Sequence, residues 1–233
     1  AVYKVIENDG ATASTIEPTS TSNSIFETSD GYRWKYMYSL TSAETLNFMS
    51  SDFAHVSTDS TVSAAAVNGA LDTILVVAGG SSFSTSSGST ISGIPIRGDG
   101  SSGVASVTIS SGAITAAAVT TAGTGYTFAY IRTADIIAAT NAGGAGSGDN
   151  LNVIIPPKGG HGKNSVEELG GFYVMMNKSL VGIEGTSDIT VSNDFRRIGL
   201  LRNPFNFGTT TIASADTRRQ LYAAVFSSVS GTF

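Results

Sequence analysis

Two glycine-punctuated stretches of this chain repeat each other without a gap. Gly69, Gly80 and Phe83 are matched by Gly112, Gly123 and Tyr126, each 43 residues later. Between them Leu71 matches Ile114 and Val76 matches Val119. Self-similarity at a fixed period marks one supersecondary unit used twice. Asn68-Gly69 and Ser110-Ser111-Gly112 read as hairpin turns between alternating runs, with strands over 104–109 and 113–120 paired around the second. Gly79-Gly80 and Gly123-Thr124-Gly125 end the outgoing strands, and Phe83 and Tyr126 are placed to cover the open end of each small sheet. The alanine runs 64–66 and 116–118 are flanked by Gly, Thr and Val, which favours strand over helix.

The repeat lies in a segment of distinct composition. Residues 57–153 hold none of the five Lys and none of the seven Glu. This divides the chain into a discontinuous frame, 1–56 and 154–233, and an inserted module, 57–153, of two units at about 61–103 and 104–153. Residues 143–148 read as a flexible exit from the module. The fold class expected is all-β: a β-sandwich frame carrying a tandem β-hairpin repeat, with few short helices. A chain of 233 residues fits one large all-β domain or two smaller ones.

Charged residues make up 13% of the chain, against roughly 25% in ordinary soluble domains. Chains of this kind often sit in assemblies, where neighbours cover much of the surface. The net charge of −5 argues against nucleic acid, which needs clustered Lys and Arg. No apolar run approaches the roughly 18–20 residues of a membrane span. Cys is absent, so thiolate zinc sites are excluded. The strand-like run Val2-Tyr3-Lys4-Val5-Ile6 begins almost at the first residue, which raises the expectation of a missing segment upstream.

Within the frame, Tyr32, Trp34, Tyr36 and Tyr38 fall on one face of a strand, with Arg33, Lys35 and Met37 on the other. The stripe is either a sugar-stacking platform or the buried face of a core strand. Residues 42–49 form the best short-helix candidate, capped by Thr41 or Ser42 with Glu44 in the first turn. Residues 166–169 read as one helical turn, and 172–176, 189–191 and 197–201 as strands. Residues 218–225 are ambiguous between strand and helix.

Catalytic signals are few. Gly159-Gly160-His161-Gly162-Lys163-Asn164 superficially resembles a phosphate loop, but Pro157 and Asn164 occupy the positions that need Gly and Ser or Thr. The loop then reads as a tight turn whose glycines supply positive φ. His161 could serve as base or ligand, or simply hydrogen-bond the loop. The adjacent Glu167 and Glu168 do not face each other on a helix, so they make no acid/base pair. Arg97-Gly98-Asp99 spells an integrin-type tripeptide in a Gly/Ser-rich turn, where chance suffices to explain it. No cofactor, metal or enzymatic activity is expected. Two sets of surface candidates remain. Arg196, Arg197, Arg202, Arg218 and Arg219 concentrate positive charge in an acidic chain, either as a solvated edge or as an interface that pairs carboxylates. Tyr126, Phe128 and Tyr130 alternate on one expected strand face, either to stack sugars or to cover the module's small core.

The frame resembles a known family. Asp30-Gly31-Tyr32-Arg33-Trp34-Lys35-Tyr36-Met37-Tyr38-Ser39-Leu40, the opening Val2–Ile6 run with its acidic Glu17-Pro18 loop, and the late Phe195-Arg196-Arg197-Ile198-Gly199-Leu200-Leu201-Arg202-Asn203-Pro204 are together similar to the gp8-type baseplate wedge proteins of T4-like contractile-tailed phages. The Gly159–Gly162 loop with Leu169-Gly170-Gly171 is similar to the same proteins in marine T4-like phages. The likeness covers 1–56 and 154–204, and the 57–153 insertion is foreign to it. It implies a non-enzymatic β-sandwich scaffold of the virion, made in the host cytoplasm and held in the tail baseplate. Its implied partners are other wedge proteins and a second copy of itself. The alternative is a tail-associated receptor- or glycan-binding module carried by 57–153.

Overall fold

The computed structural model describes residues 1–8, 13–50, 52–83, 88–140, 145–177 and 195–202. The fold is all-β, with short helices between strands. In chain order the elements are β1 (Val2–Glu7), β2 (Phe26–Glu27), β3 (Arg33–Tyr38), α1 (Ser42–Phe48), β4 (Phe53–Val56), α2 (Ser60–Ala65), β5 (Ile74–Ser81), β6 (Ser89–Pro95), β7 (Arg97–Gly98), β8 (Val104–Ser110), β9 (Ala113–Thr121), β10 (Ala129–Tyr130), α3 (Thr133–Thr140), β11 (Ser147–Val153), α4 (Ser165–Glu168), β12 (Phe172–Asn177) and β13 (Phe195–Arg202). Among the described residues the strands make small antiparallel sheets, ordered β1-β3-β2, β12-β13-β4, β6-β8-β9, β11-β5 and β10-β7. The expected strand 189–191 and the ambiguous 218–225 lie outside the described residues.

Two apolar cores form. One draws on Leu71, Ile94, Val107, Ile109, Ile114, Ile136 and Val153, all between 71 and 153. The other joins Met37 and Tyr38 of β3 to Val56 of β4 and Val166 of α4, with Val2 and Leu201 packed against it. The first two sheets thus share one core across a sequence gap of more than a hundred residues. In β3 both faces are buried: Trp34, Tyr36 and Tyr38 on one side, Lys35 and Met37 on the other. Strict in/out alternation therefore fails there, because on the second face Met37 packs against Val56 and Val166 while Lys35 is engaged by the Asn23 carbonyl.

The matched glycines and aromatics each have a physical reason. Gly80, next to last in β5, and Gly123, two residues beyond β9, both have positive φ (+66° and +62°). A Cβ on Gly80 would lie 2.6 Å from the Ser147 carbonyl oxygen, and one on Gly123 would lie 2.5 Å from that of Ser101. The aromatics that follow, Phe83 and Tyr126, are both buried. Their rings sit on Gly146 and Gly100, where a side chain would occupy the ring's own space. The units also interlock. Phe83 N–H donates to the Gly112 carbonyl at 3.0 Å, and Tyr126 N–H donates to the Gly69 carbonyl at 3.4 Å. Each aromatic thereby closes on the other unit's turn.

Two expectations are corrected, and one helix is added. Residues 60–65 are helical rather than strand, so Asn68-Gly69 links a helix to β5 and is not a hairpin turn. The reason lies in Asp59, whose carboxylate accepts the Thr61 and Val62 N–H groups as an N-cap, and in Val62, which is fully buried. Replacing Asp59 by Ala is expected to cost about 1 kcal/mol in denaturant unfolding, with Asn restoring most of it. The hairpin at Ser111-Gly112 does form between β8 and β9, both residues having positive φ. The added helix, α3, was not foreseen. Finally, the expected exit at 143–148 is partly strand, since Ser147 opens β11 opposite Ser81.

Helix α1 forms as expected. Thr41 accepts the Glu44 N–H at 3.2 Å, while the Glu44 carboxylate accepts the Thr41 N–H at 2.8 Å.

Candidate functional site

The glycine loop folds around a carboxylate of its own chain. Gly159, Gly160 and Gly162 adopt positive φ (+88°, +95°, +87°), which wraps the loop over α4. Glu168, with a side chain 1% exposed, stands at the centre. Its Oε1 lies 2.5 Å from His161 Nδ1 and 3.3 Å from Lys4 Nζ, and its Oε2 accepts the Gly162 N–H at 2.6 Å. Burial pushes this carboxyl up, but the hydrogen bonds from His161 and Gly162 and the Lys4 charge outweigh it. The net result is a group held below the usual carboxylate range. Lys35 is buried close by and donates to the Asn23 carbonyl. Burial holds its ammonium below the usual lysine range, against the pull of Glu168 and Asp72. The anion this loop holds is therefore Glu168, and the arrangement ties β1, the loop and α4 together.

His55 and His161 do not meet. His55 Nε2 lies 3.5 Å from Glu44, and His161 is engaged with Glu168. Among the described residues no group of three His, Asp or Glu could hold a metal ion. An open groove of about 410 Å³ runs past Tyr36, Tyr38 and Asp59. Tyr36 and Tyr38 offer it no stacking face. They are 5% and 1% exposed, and their hydroxyls are bonded to Ser39 and to the His55 carbonyl.

The arginine candidates divide. Arg196, Arg197 and Arg202 lie on β13, while Arg218 and Arg219 fall outside the described residues. The Arg197 guanidinium stacks on the Tyr173 ring, 3.9 Å from its centroid. In the ladder Arg197 lies opposite Met175, which is 71% exposed, and Tyr173 is 43% exposed. Tyr173 and Met175 were missed as site residues. Their i, i+2 spacing in an expected strand was the available signal.

The insertion aromatics do not share one face. β10 covers Ala129–Tyr130 alone, and Tyr126 precedes it, ahead of a bend at 127–128. Tyr126 is 3% exposed, whereas Phe128 and Tyr130 are 54% and 47% exposed. The Tyr126 hydroxyl donates to the Ile96 carbonyl and accepts the Gly103 N–H, each at 3.0 Å. Tyr126 thus takes the core-covering role, and Phe128 and Tyr130 remain at the surface. Tyr130 pairs in register with Arg97, whose guanidinium forks onto Asp135 together with that of Arg132. Arg97, Arg132 and Asp135 had no sequence signal beyond the Arg97-Gly98-Asp99 tripeptide. Asp99 itself accepts the Thr127 and Phe128 N–H groups and the Thr127 hydroxyl, so that it fastens this bend.

No family model, curated protein or solved structure matches the chain.

Proposed function

We propose that this chain is a structural component of a contractile phage tail baseplate, a wedge-type subunit that acts as an assembly scaffold. The observation that carries the reading is the outward face of β12 and β13. There Met175 and Tyr173 stand exposed and Arg197 stacks on the tyrosine ring. Met, Tyr and Arg are the residue types that concentrate in protein interfaces. The likeness of the frame to wedge proteins supports the same reading, as does the low charge of the whole chain. On this reading 1–56 and 154–233 form the β-sandwich frame, and 57–153 is its inserted repeat module. The partners are neighbouring wedge proteins and a second copy of the chain. The work is mechanical: burial of this face against neighbours, and its displacement when the tail fires.

Cryo-electron microscopy of the intact particle tests this. Density for the chain in the baseplate, repeated around the six-fold axis, is expected; density on a fibre tip or the capsid would overturn the reading. Met175→Asp should leave unfolding free energy within about 0.5 kcal/mol, since the side chain is exposed. The same change should sharply reduce incorporation into particles.

The exposure of Phe128 and Tyr130 favours a second reading, in which the insertion binds a receptor or glycan at the particle's edge. A glycan array probed with the whole chain separates the two, binding lost in Phe128→Ser being the expected result for the second.

A further inference from the structure

Beside Tyr130 lies a pair of arginines held side by side by one carboxylate. Asp135, at the start of α3, accepts from Arg97 Nε (3.1 Å) and Nη2 (2.9 Å), and from Arg132 Nε and Nη2 (both 3.0 Å). Its side chain is 11% exposed, whereas those of Arg97 and Arg132 are 43% and 53% exposed. Both guanidiniums spend the same edge inward. Their Nη1 groups have no partner among the described residues, so each presents a fixed donor edge to solvent. Tyr130 stands opposite Arg97 in the β7–β10 ladder, and Phe128 is anchored through its N–H to Asp99 at 3.1 Å. The β7–β10 ladder and a doubly shared carboxylate thus set the donor edges beside the Tyr130 ring, and Phe128 stands exposed two residues before it in the fastened bend.

We infer that this surface binds a saccharide bearing an acidic group, carboxylate or phosphate. The Nη1 edges of Arg97 and Arg132 take the acid, and the rings of Tyr130 and Phe128 take a sugar face. The inference rests on the second reading above and narrows it. A planar guanidinium edge can donate to two oxygens of either acid at once. With Asp99 and Asp135 close by, discrimination comes from those paired donors rather than from net charge. A long polyanion such as nucleic acid is disfavoured by the chain's net charge of −5. A protein partner needs about 800 Å² of surface on each side, more than two rings and two guanidiniums supply.

The test is an NMR titration of the whole chain with methyl glucuronide, glucose phosphate and methyl glucoside. One of the acidic sugars is expected to bind at least about tenfold more tightly than the glucoside, and which one does so identifies the acid. Arg132→Gln should abolish the preference and Arg132→Lys should weaken it, with unfolding midpoints unchanged. Tyr130→Ser should weaken all binding. If the glucoside binds equally and Arg132→Gln changes nothing, the inference is wrong while glycan binding stands. If no sugar binds, both fail.

Discussion

Truncating Glu168 to Ala is expected to cost about 3–5 kcal/mol, a large share of the roughly 5–15 kcal/mol that holds a domain folded. The carboxylate is almost fully buried and accepts from His161, Gly162 and Lys4, so its loss leaves the His161 and Gly162 donors unpaired and removes the partner of Lys4. Glu168→Gln is the sharper probe, because it keeps the shape and removes the charge. The pH dependence follows from the lowered carboxyl. The folded state binds this proton more weakly than the unfolded chain does. Its contribution is therefore fully present above the unfolded value, about 4.3, and is lost as pH falls through the folded value. Urea unfolding of the wild type and Glu168→Gln at several pH values measures it. The gap between them should be widest near neutrality and should narrow in acid. A gap of constant size from neutral pH to pH ~3 would show that the charge of Glu168 does not contribute.

Tyr126→Ala should cost a further class of energy, about 3–5 kcal/mol for a buried ring. Tyr126→Phe isolates the hydroxyl. That group bridges the Ile96 carbonyl and the Gly103 N–H, so removing it leaves two buried backbone groups unpaired, at about 1–3 kcal/mol. Phe83→Ala, at the matched position, should resemble Tyr126→Ala without the hydroxyl part, because Phe83 packs on Gly146 through its ring alone. Phe128→Ala, on the surface, should stay within about 0.5 kcal/mol. Amide exchange at Gly103 gives an independent reading, since Tyr126→Phe should speed it selectively. If Tyr126→Phe costs nothing and leaves Gly103 protected, the bridge is not a stabilising element.

The features legible in the chain were those with short-range causes. Glycines near strand ends, at 80 and 123, are visible because only a residue without Cβ fits positive φ against a neighbouring backbone. The capping box of Thr41 and Glu44 is visible because its partners are three residues apart. The matched aromatics at 83 and 126 read as core covers for the same local reason, and both are buried. Helix α2 was misread although its cap, Asp59, was in plain view. The strand propensity of its Thr and Val outweighed one hydrogen-bonding carboxylate until Val62 found a core to enter.

The candidate sites were legible only in part. Arg197 and the exposed aromatics Phe128 and Tyr130 could be picked out by type. Tyr173 beneath Arg197, the Arg97–Asp135–Arg132 set and the Glu168 cluster could not. Residues 166–169 read as one helical turn, with nothing in the sequence to mark Glu168 as buried. Its burial depends on Lys4, at the far end of the chain, and on a loop that presents the Gly162 N–H to it. By itself the sequence determined an all-β chain, the β8–β9 hairpin and the cap of α1, because propensity, glycine stereochemistry and capping act over a few residues. Which charges were buried together, and which aromatics faced water, only the tertiary structure decided, because those choices depend on distant segments arriving to exclude solvent.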